Sequence, residues 1–207
     1  MILSMVRHGE PARAASGELQ NDPPLSPLGV AQMQETGGLL RADGYDAVFA
    51  SNLRRATESA RCALGPDVPV SEVADLAEFD RDSDYLHYED GADVWQRYRE
   101  GDLSPWGTTA EEFRQRVVTA LEAIRIKHVG ERVVAVCHGG VINIFLAWIL
   151  GESALRLFAP DYGSVSRFEY RADAGWSVRE LNARPPTRAP GAPVRSVPAA
   201  RAGASWN

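Results

Sequence analysis

The sequence predicts an α/β fold, with a mainly parallel central sheet flanked by helices on both faces, an inserted region and a C-terminal strand hairpin. Three observations carry that expectation. Short apolar runs at Ile2 to Arg7, Ala47 to Ser51 and Arg132 to Cys137 each end in a polar cluster, as strands covered on both faces do. Amphipathic helical patterns lie between them, and such alternation calls for parallel pairing. The chain of 207 residues is 44% hydrophobic and 24% charged, enough apolar material for a sizeable core.

Each element has a local reason. Ser26 can cap a helix whose first residue is Pro27, with Leu28, Met33 and Leu39/Leu40 as its apolar stripe. Ser51 or Asn52 is placed to cap the next one. From Thr109 the pattern is strongest: Thr109 and Glu112 form a capping box, and Phe113, Val117, Leu121, Ile124 and His128 follow at spacings of three or four before Gly130 stops the helix. Val141 to Leu150 reads as a buried helix ending at Gly151. Val165 to Tyr170 and Trp176 to Leu181, joined by Arg171 to Gly175, read as the hairpin. One domain is expected over residues 1–183. Residues 184–207 hold five Pro, four Arg and no acid, a composition that builds no core and reads as a tail.

Charge and composition exclude several classes. A net charge of −6 gives no general attraction to nucleic acid or to an anionic membrane, so neither is an expected partner. No apolar run reaches the roughly 18 residues needed to cross a bilayer. Met1 to Val6 runs straight into Arg7-His8-Gly9-Glu10, too early for a signal peptide, so the expected location is cytoplasmic. Cys62 and Cys137 are too few for a disulfide framework or a cysteine zinc site and are expected as reduced, buried thiols. No metal and no cofactor is expected, and a homodimer stays open.

In an open α/β sheet, ligands bind at the carboxyl ends of the strands. Three loops leave strands at that edge, carrying Arg7-His8-Gly9-Glu10, Ser51-Asn52-Leu53-Arg54-Arg55-Ala56 and His138-Gly139-Gly140. Brought together, they supply two imidazoles, at least two guanidiniums and glycine amides, a set suited to a tetrahedral oxyanion such as phosphate. Taken singly, each has a plainer explanation: a satisfied structural histidine, or solvated arginines on a helix surface.

These motifs, in this order, resemble the histidine phosphatase superfamily in its phosphoglycerate-mutase-like branch. The resemblance runs from about Ile2 to Leu181. It includes Leu3 to Glu10, the Pro24-Leu25-Ser26-Pro27-Leu28-Gly29 turn, Leu76-Ala77-Glu78 and Val136 to Gly140. Ser51 to Ala56 resembles the family's Ser-x-Leu-x-Arg-Ala segment, which selects Arg55 over Arg54. The resemblance implies catalytic roles for His8 as nucleophile and Glu78 as proton donor. It implies phosphate-binding roles for Arg7, Arg55, His138 and Gly139, with His138 also among the catalytic residues. Those roles make chemical sense: neighbouring guanidiniums keep a histidine neutral, and a buried carboxylic acid can protonate a leaving alkoxide. Glu10 is expected to brace its loop, Cys137 to pack inward and Asn143 to be structural.

The chain also departs from the family pattern. Ala14 stands where many relatives have a phosphate-holding Asn. Between Asp80 and Asp93 lie six acids and one Arg, within the region of about 79–108 where the family builds its substrate lid. Such a segment can be a solvated loop. As a lid it should disfavour substrates with extra carboxylates or phosphates, and Tyr85, Tyr88 and Trp95 would favour an apolar or cationic leaving group. The expected activity is metal-independent hydrolysis of a small phosphomonoester through a phosphohistidine on His8. The alternatives are a phosphoglycerate mutase and a non-catalytic phospho-ligand binding module.

Overall fold

Alternation along the strands sets the layers. In β4 (Arg132–Cys137), Val133, Ala135 and Cys137 enter one apolar cluster and Val134 and Val136 the other, because successive side chains leave opposite faces of a strand. Strand β1 (Ile2–Arg7) repeats this with Leu3 and Met5 on one side and Val6 on the other. In the computed structural model, which describes residues 1–13, 21–87 and 91–185, these two strands lie inside a six-stranded sheet. The remaining strands are β2 (Ala47–Ala50), β3 (Ser71–Glu72), β5 (Val165–Arg171) and β6 (Gly175–Ala183), and the order is β3-β2-β4-β1-β5-β6. The first four run parallel, while β5 and β6 are the expected antiparallel hairpin at one edge.

Helices cover both faces. The helices α1 (Pro27–Asp43) and α2 (Arg54–Leu64) close one side with Met33, Leu40, Ala56, Ala60 and Leu64. The other side is closed by α3 (Ala92–Arg99), α4 (Ala110–Lys127) and α5 (Gly139–Leu150), whose buried residues include Trp95, Phe113, Leu121, Ile142 and Phe145. Each such fully buried side chain is worth about 1.5–3 kcal/mol relative to exposure. No helix among the described residues is long and apolar enough to cross a membrane. The tail beyond Pro185, with Ala14 and Tyr88, lies outside the described residues.

The caps follow the sequence in two helices and depart from it in a third. Ser26 accepts from the Gly29 N–H at 3.0 Å ahead of Pro27, and the Thr109/Glu112 capping box forms in both directions. Helix α2, however, has Leu53 at its N-cap and no side-chain cap of its own. Instead Asp22, distant in sequence, accepts the Arg54 N–H at 2.9 Å, while Ser51 Oγ accepts the Leu53 N–H at 3.2 Å, ahead of the helix. Helix α5 begins at Gly139, two residues earlier than expected, so both glycines lie in its first turn. Leu28 is 55% exposed; the buried face of α1 runs instead through Gly29, Met33, Thr36, Gly37 and Leu40, where small residues admit close neighbours.

One of those close approaches positions the loop after β1. A Cβ on Gly29 would stand 2.1 Å from the Glu10 carbonyl oxygen, and one on Gly9 would stand 2.5 Å from the Gly29 carbonyl oxygen. Only paired glycines let these backbones touch. Gly38, on the same helix, has open space around it. Gly38→Ala should therefore stabilise the protein by about 0.5–1 kcal/mol through helix propensity. Gly29→Ala should reverse the sign and cost about 1–3 kcal/mol through overpacking. Thermal unfolding of the two variants checks this, and a stabilised Gly29→Ala would contradict it.

Candidate active site

Strand register builds the site. Arg7 pairs with Cys137 across the parallel β1 and β4, so the residues that follow, His8 and His138, leave the sheet side by side. Their rings lie 5.0 Å apart between centroids, and the His8 N–H donates to the Cys137 carbonyl at 3.0 Å. The end of β2 lies next to them, where the Ser51 N–H donates to the Val136 carbonyl at 2.9 Å. Three strand ends thus deliver Arg7, His8, Ser51 and His138 to one place, all of them buried.

Each imidazole is oriented by one firm contact. His8 Nδ1 lies 2.7 Å from the Gly9 carbonyl oxygen. A carbonyl can only accept, so Nδ1 carries the proton and Nε2 the lone pair. His138 Nε2 lies 2.9 Å from Ser51 Oγ, and its Nδ1, though buried, has no hydrogen-bond partner among the described residues. Burial, then the Arg55 and Arg7 charges, hold His8 well below the ordinary histidine range. His138 is lowered by burial and then by Arg55. Both rings are neutral near pH 7.

The cations come from a strand end and a helix start. Arg7 closes β1 and donates to the Pro160 carbonyl at 2.5 Å. Arg55, in the first turn of α2, is 1% exposed and pairs with Asp80 at 2.9 Å, while its neighbour Arg54 is exposed and pairs with Glu58. Arg55 Nε is buried without a hydrogen-bond partner among the described residues.

Glu78 follows the 3-10 turn Ala74–Leu76 and reaches back to the start of α5, where its Oε2 accepts the Gly140 N–H at 2.8 Å. A Cβ on residue 140 would stand 2.3 Å from Glu78 Oε1, so a side chain there would displace the carboxyl. From α4, Arg116 fixes the turn by donating to the carbonyls of Asp75, Ala77 and Glu78 at 3.0, 2.9 and 3.3 Å. Burial, and secondarily the Asp80 charge, raise the Glu78 carboxyl to about 7, against the pull of the Gly140 N–H and Arg55. Asp80 is itself raised by burial, with Arg55 opposing.

Arg7, His8, Arg55, Glu78, Asp80 and Gly139 line one cavity of about 20 Å³, room for roughly one water. Tyr85 lines it too, and Tyr162 packs beside it, 5.5 Å from the His8 ring between centroids. Tyr162 lies 3.9 Å from Arg7 Cζ and Tyr85 lies 4.7 Å from Arg55 Cζ, and their hydroxyls stand 3.4 Å apart. Larger hollows exist elsewhere, including one of about 670 Å³ between β2, β3 and α4, but that one holds no pair of guanidiniums.

The structure brings Arg7, His8, Arg55, Glu78 and Gly139 to one cavity and sets His138 beside it, its ring tilted 59° against that of His8. Glu10 braces its loop as expected, accepting from Ser26 Oγ at 2.8 Å. Asn143 is structural: its Nδ2 donates to the Gly139 and Phe158 carbonyls, and its Oδ1 accepts the Leu157 and Phe158 N–H groups. Cys137 is buried, and burial pushes its thiol up. Trp95, expected to face a leaving group, also packs into an aromatic cluster with Phe79 and Trp106. Sequence reasoning misses Asp80, which it counts among solvated acids, although its place two residues after Glu78 is a usable signal. It also misses Tyr162 and Arg116, for which no sequence signal exists, and treats Ser51 only as a cap.

The set of groups suits a tetrahedral dianion: two guanidiniums, two neutral imidazoles and the first turn of α5 converge, with a protonated carboxyl beside them. Comparison with known proteins agrees. The chain is 31% identical over 170 residues to a metal-independent phosphoserine phosphatase of Arabidopsis thaliana, covering 74% of this chain and 71% of that one. It is 26% identical over 194 residues to the adenosylcobalamin/alpha-ribazole phosphatase of Escherichia coli, covering 88% and 91%. The crystal structure of the alpha-ribazole phosphatase from Shigella flexneri superposes with a TM-score of 0.69 at 26% identity, covering 89% and 97%. Residues 3–184 match the family model of the histidine phosphatase superfamily (branch 1). By that span, this chain belongs to the histidine phosphatase superfamily and is a phosphoric monoester hydrolase by class.

Proposed function

We propose that this enzyme hydrolyses a small phosphomonoester in two steps through a phosphohistidine on His8. The observation that carries the reading is the bond between His8 Nδ1 and the Gly9 carbonyl at 2.7 Å, which directs the Nε2 lone pair to the cavity shared by Arg7, Arg55 and Glu78. In the first step a bond forms from His8 Nε2 to phosphorus, the bond from phosphorus to the ester oxygen breaks, and the Glu78 proton passes to that oxygen. In the second, the Glu78 carboxylate takes a proton from water as the water oxygen bonds phosphorus and the N–P bond breaks. The transferred group carries its charge on the equatorial oxygens, which Arg7, Arg55 and a His138 Nδ1–H backed by Ser51 would hold.

Trapping tests the nucleophile. After mixing with a labelled phosphomonoester, denaturation without acid should preserve an acid-labile, alkali-stable phosphoenzyme. His8→Ala should abolish both label and turnover. Glu78→Gln should keep the label from an activated aryl phosphate and lose about 10²- to 10⁴-fold in turnover of alkyl phosphates. Chelator should change neither result. Label persisting in His8→Ala, or activity lost to chelator and restored by a divalent metal, would overturn the mechanism. Rapid conversion of 3-phosphoglycerate to 2-phosphoglycerate with a bisphosphate primer would replace hydrolysis by the mutase reading.

The pH profile tests the acid. With alkyl phosphates, kcat/KM should fall as pH rises through about 7, where Glu78 loses its proton. On the acid side it should hold until well below the ordinary histidine range, where His8 becomes charged. Asp80→Asn removes the negative neighbour and leaves Arg55 uncompensated, and both effects favour the Glu78 carboxylate. The alkaline limb should therefore move to lower pH, by on the order of one unit for interacting buried charges. A limb that stays in place would show that Glu78 does not govern it.

A further inference from the structure

Beside the phosphate cradle lies a second cavity of about 250 Å³, and Arg7 and Gly139 line both. Tyr98, Phe158 and Tyr162 give it aromatic walls, and the exposed Arg156 lines it too. Arg156 makes no ion pair and no hydrogen bond among the described residues. The other polar groups facing this space are engaged. Arg7 donates to the Pro160 carbonyl, and Asn143 makes four hydrogen bonds to backbone groups. Asp161, the carboxylate on this wall, accepts from Asn182 Nδ2 at 3.0 Å and from Arg184 Nη1 at 3.3 Å. Two of the Asn143 bonds fix the N–H groups of Leu157 and Phe158, so the chain next to Arg156 is anchored although its side chain projects freely.

Resting on the hydrolase reading above, the geometry points to a leaving-group subsite in this cavity, where Arg156 pairs with a carboxylate carried by the organic part of the ester. A phosphate held by Arg7 has the second cavity directly across that guanidinium, so a chain leaving the ester oxygen past Gly139 enters it. The volume is below that of pockets for drug-sized ligands and suits a fragment of a few heavy atoms. A guanidinium matches a carboxylate with two parallel hydrogen bonds. One uncommitted arginine beside Asp161 suits a single negative charge better than a second phosphate dianion. Of the acidic segment, Asp80 is paired with Arg55, Asp82 lies against Arg81, and none of its described acids lines this cavity.

Phosphoserine and phosphoethanolamine differ by one carboxylate and make the test direct. Wild-type enzyme should favour phosphoserine in kcat/KM by about tenfold or more, the worth of one charge-assisted hydrogen-bonded pair. Arg156→Ala should collapse that ratio towards one, mainly through KM. Arg156→Lys should restore part of it, and Arg156→Glu should invert it. Titration of the His8→Ala variant with both compounds reads the same preference as a ratio of dissociation constants, without turnover. Hydrolysis of both esters with no preference, or an Arg156→Ala variant that weakens both equally, overturns the subsite and leaves the hydrolase standing. A carboxylate preference in binding that Arg156→Ala removes, together with no hydrolysis of either ester, supports the subsite and overturns the hydrolase reading instead.

Discussion

The pairing of Arg7 with Cys137 across β1 and β4 is the constraint on which the site rests. Both strands are buried on both faces, so a slip of one residue would move Leu3 and Met5 into the layer that holds Val6 and reverse Val133 to Cys137 as well. Two apolar layers thus defend the register that fixes the spacing of His8 and His138. The reactive groups acquire the stiffness of the core without belonging to a rigid element themselves, since both histidines sit one residue past a strand.

A second constraint is the low polarity of the place where the charges meet. Removing one partner from a buried pair such as Arg55 and Asp80 ordinarily costs about 3–5 kcal/mol, so this pair holds Arg55 still while leaving its Nε available. The environment that strengthens the pair also keeps the proton on Glu78. Because the folded carboxyl titrates near 7, above its ordinary 4.5, the native state binds that proton more tightly than the unfolded chain does. Its effect on stability is therefore to weaken the fold as pH rises between those values. A group that opposes folding at neutral pH is what a site that uses a protonated acid requires.

Much of this was legible in the sequence, and the rest had physical reasons to be hidden. The apolar runs that became β1, β2 and β4 state their own burial, and glycines at 139 and 140 announce a close approach to the chain. The N-terminus of α2 was misread because its cap, Asp22, comes from a distant segment, and local spacing carries no trace of such a contact. Asp80 was hidden among acids that are solvated: composition counts charges and is blind to which one turns inward. Tyr162 lies in an irregular stretch without periodicity, and its place over Arg7 is known only once β5 is docked beside β1.

The two tyrosine contacts have a consequence for how binding energy is divided. With Tyr162 against Arg7 and Tyr85 against Arg55, each guanidinium already faces the electron-rich side of an arene, an attraction of about 0.5–2 kcal/mol apiece. An anion placed between these cations competes with two aromatic contacts, and the cavity of about 20 Å³ it would enter has Tyr85 as part of its wall. On the proposed hydrolysis, contacts of this kind compete with inorganic phosphate for the same guanidiniums.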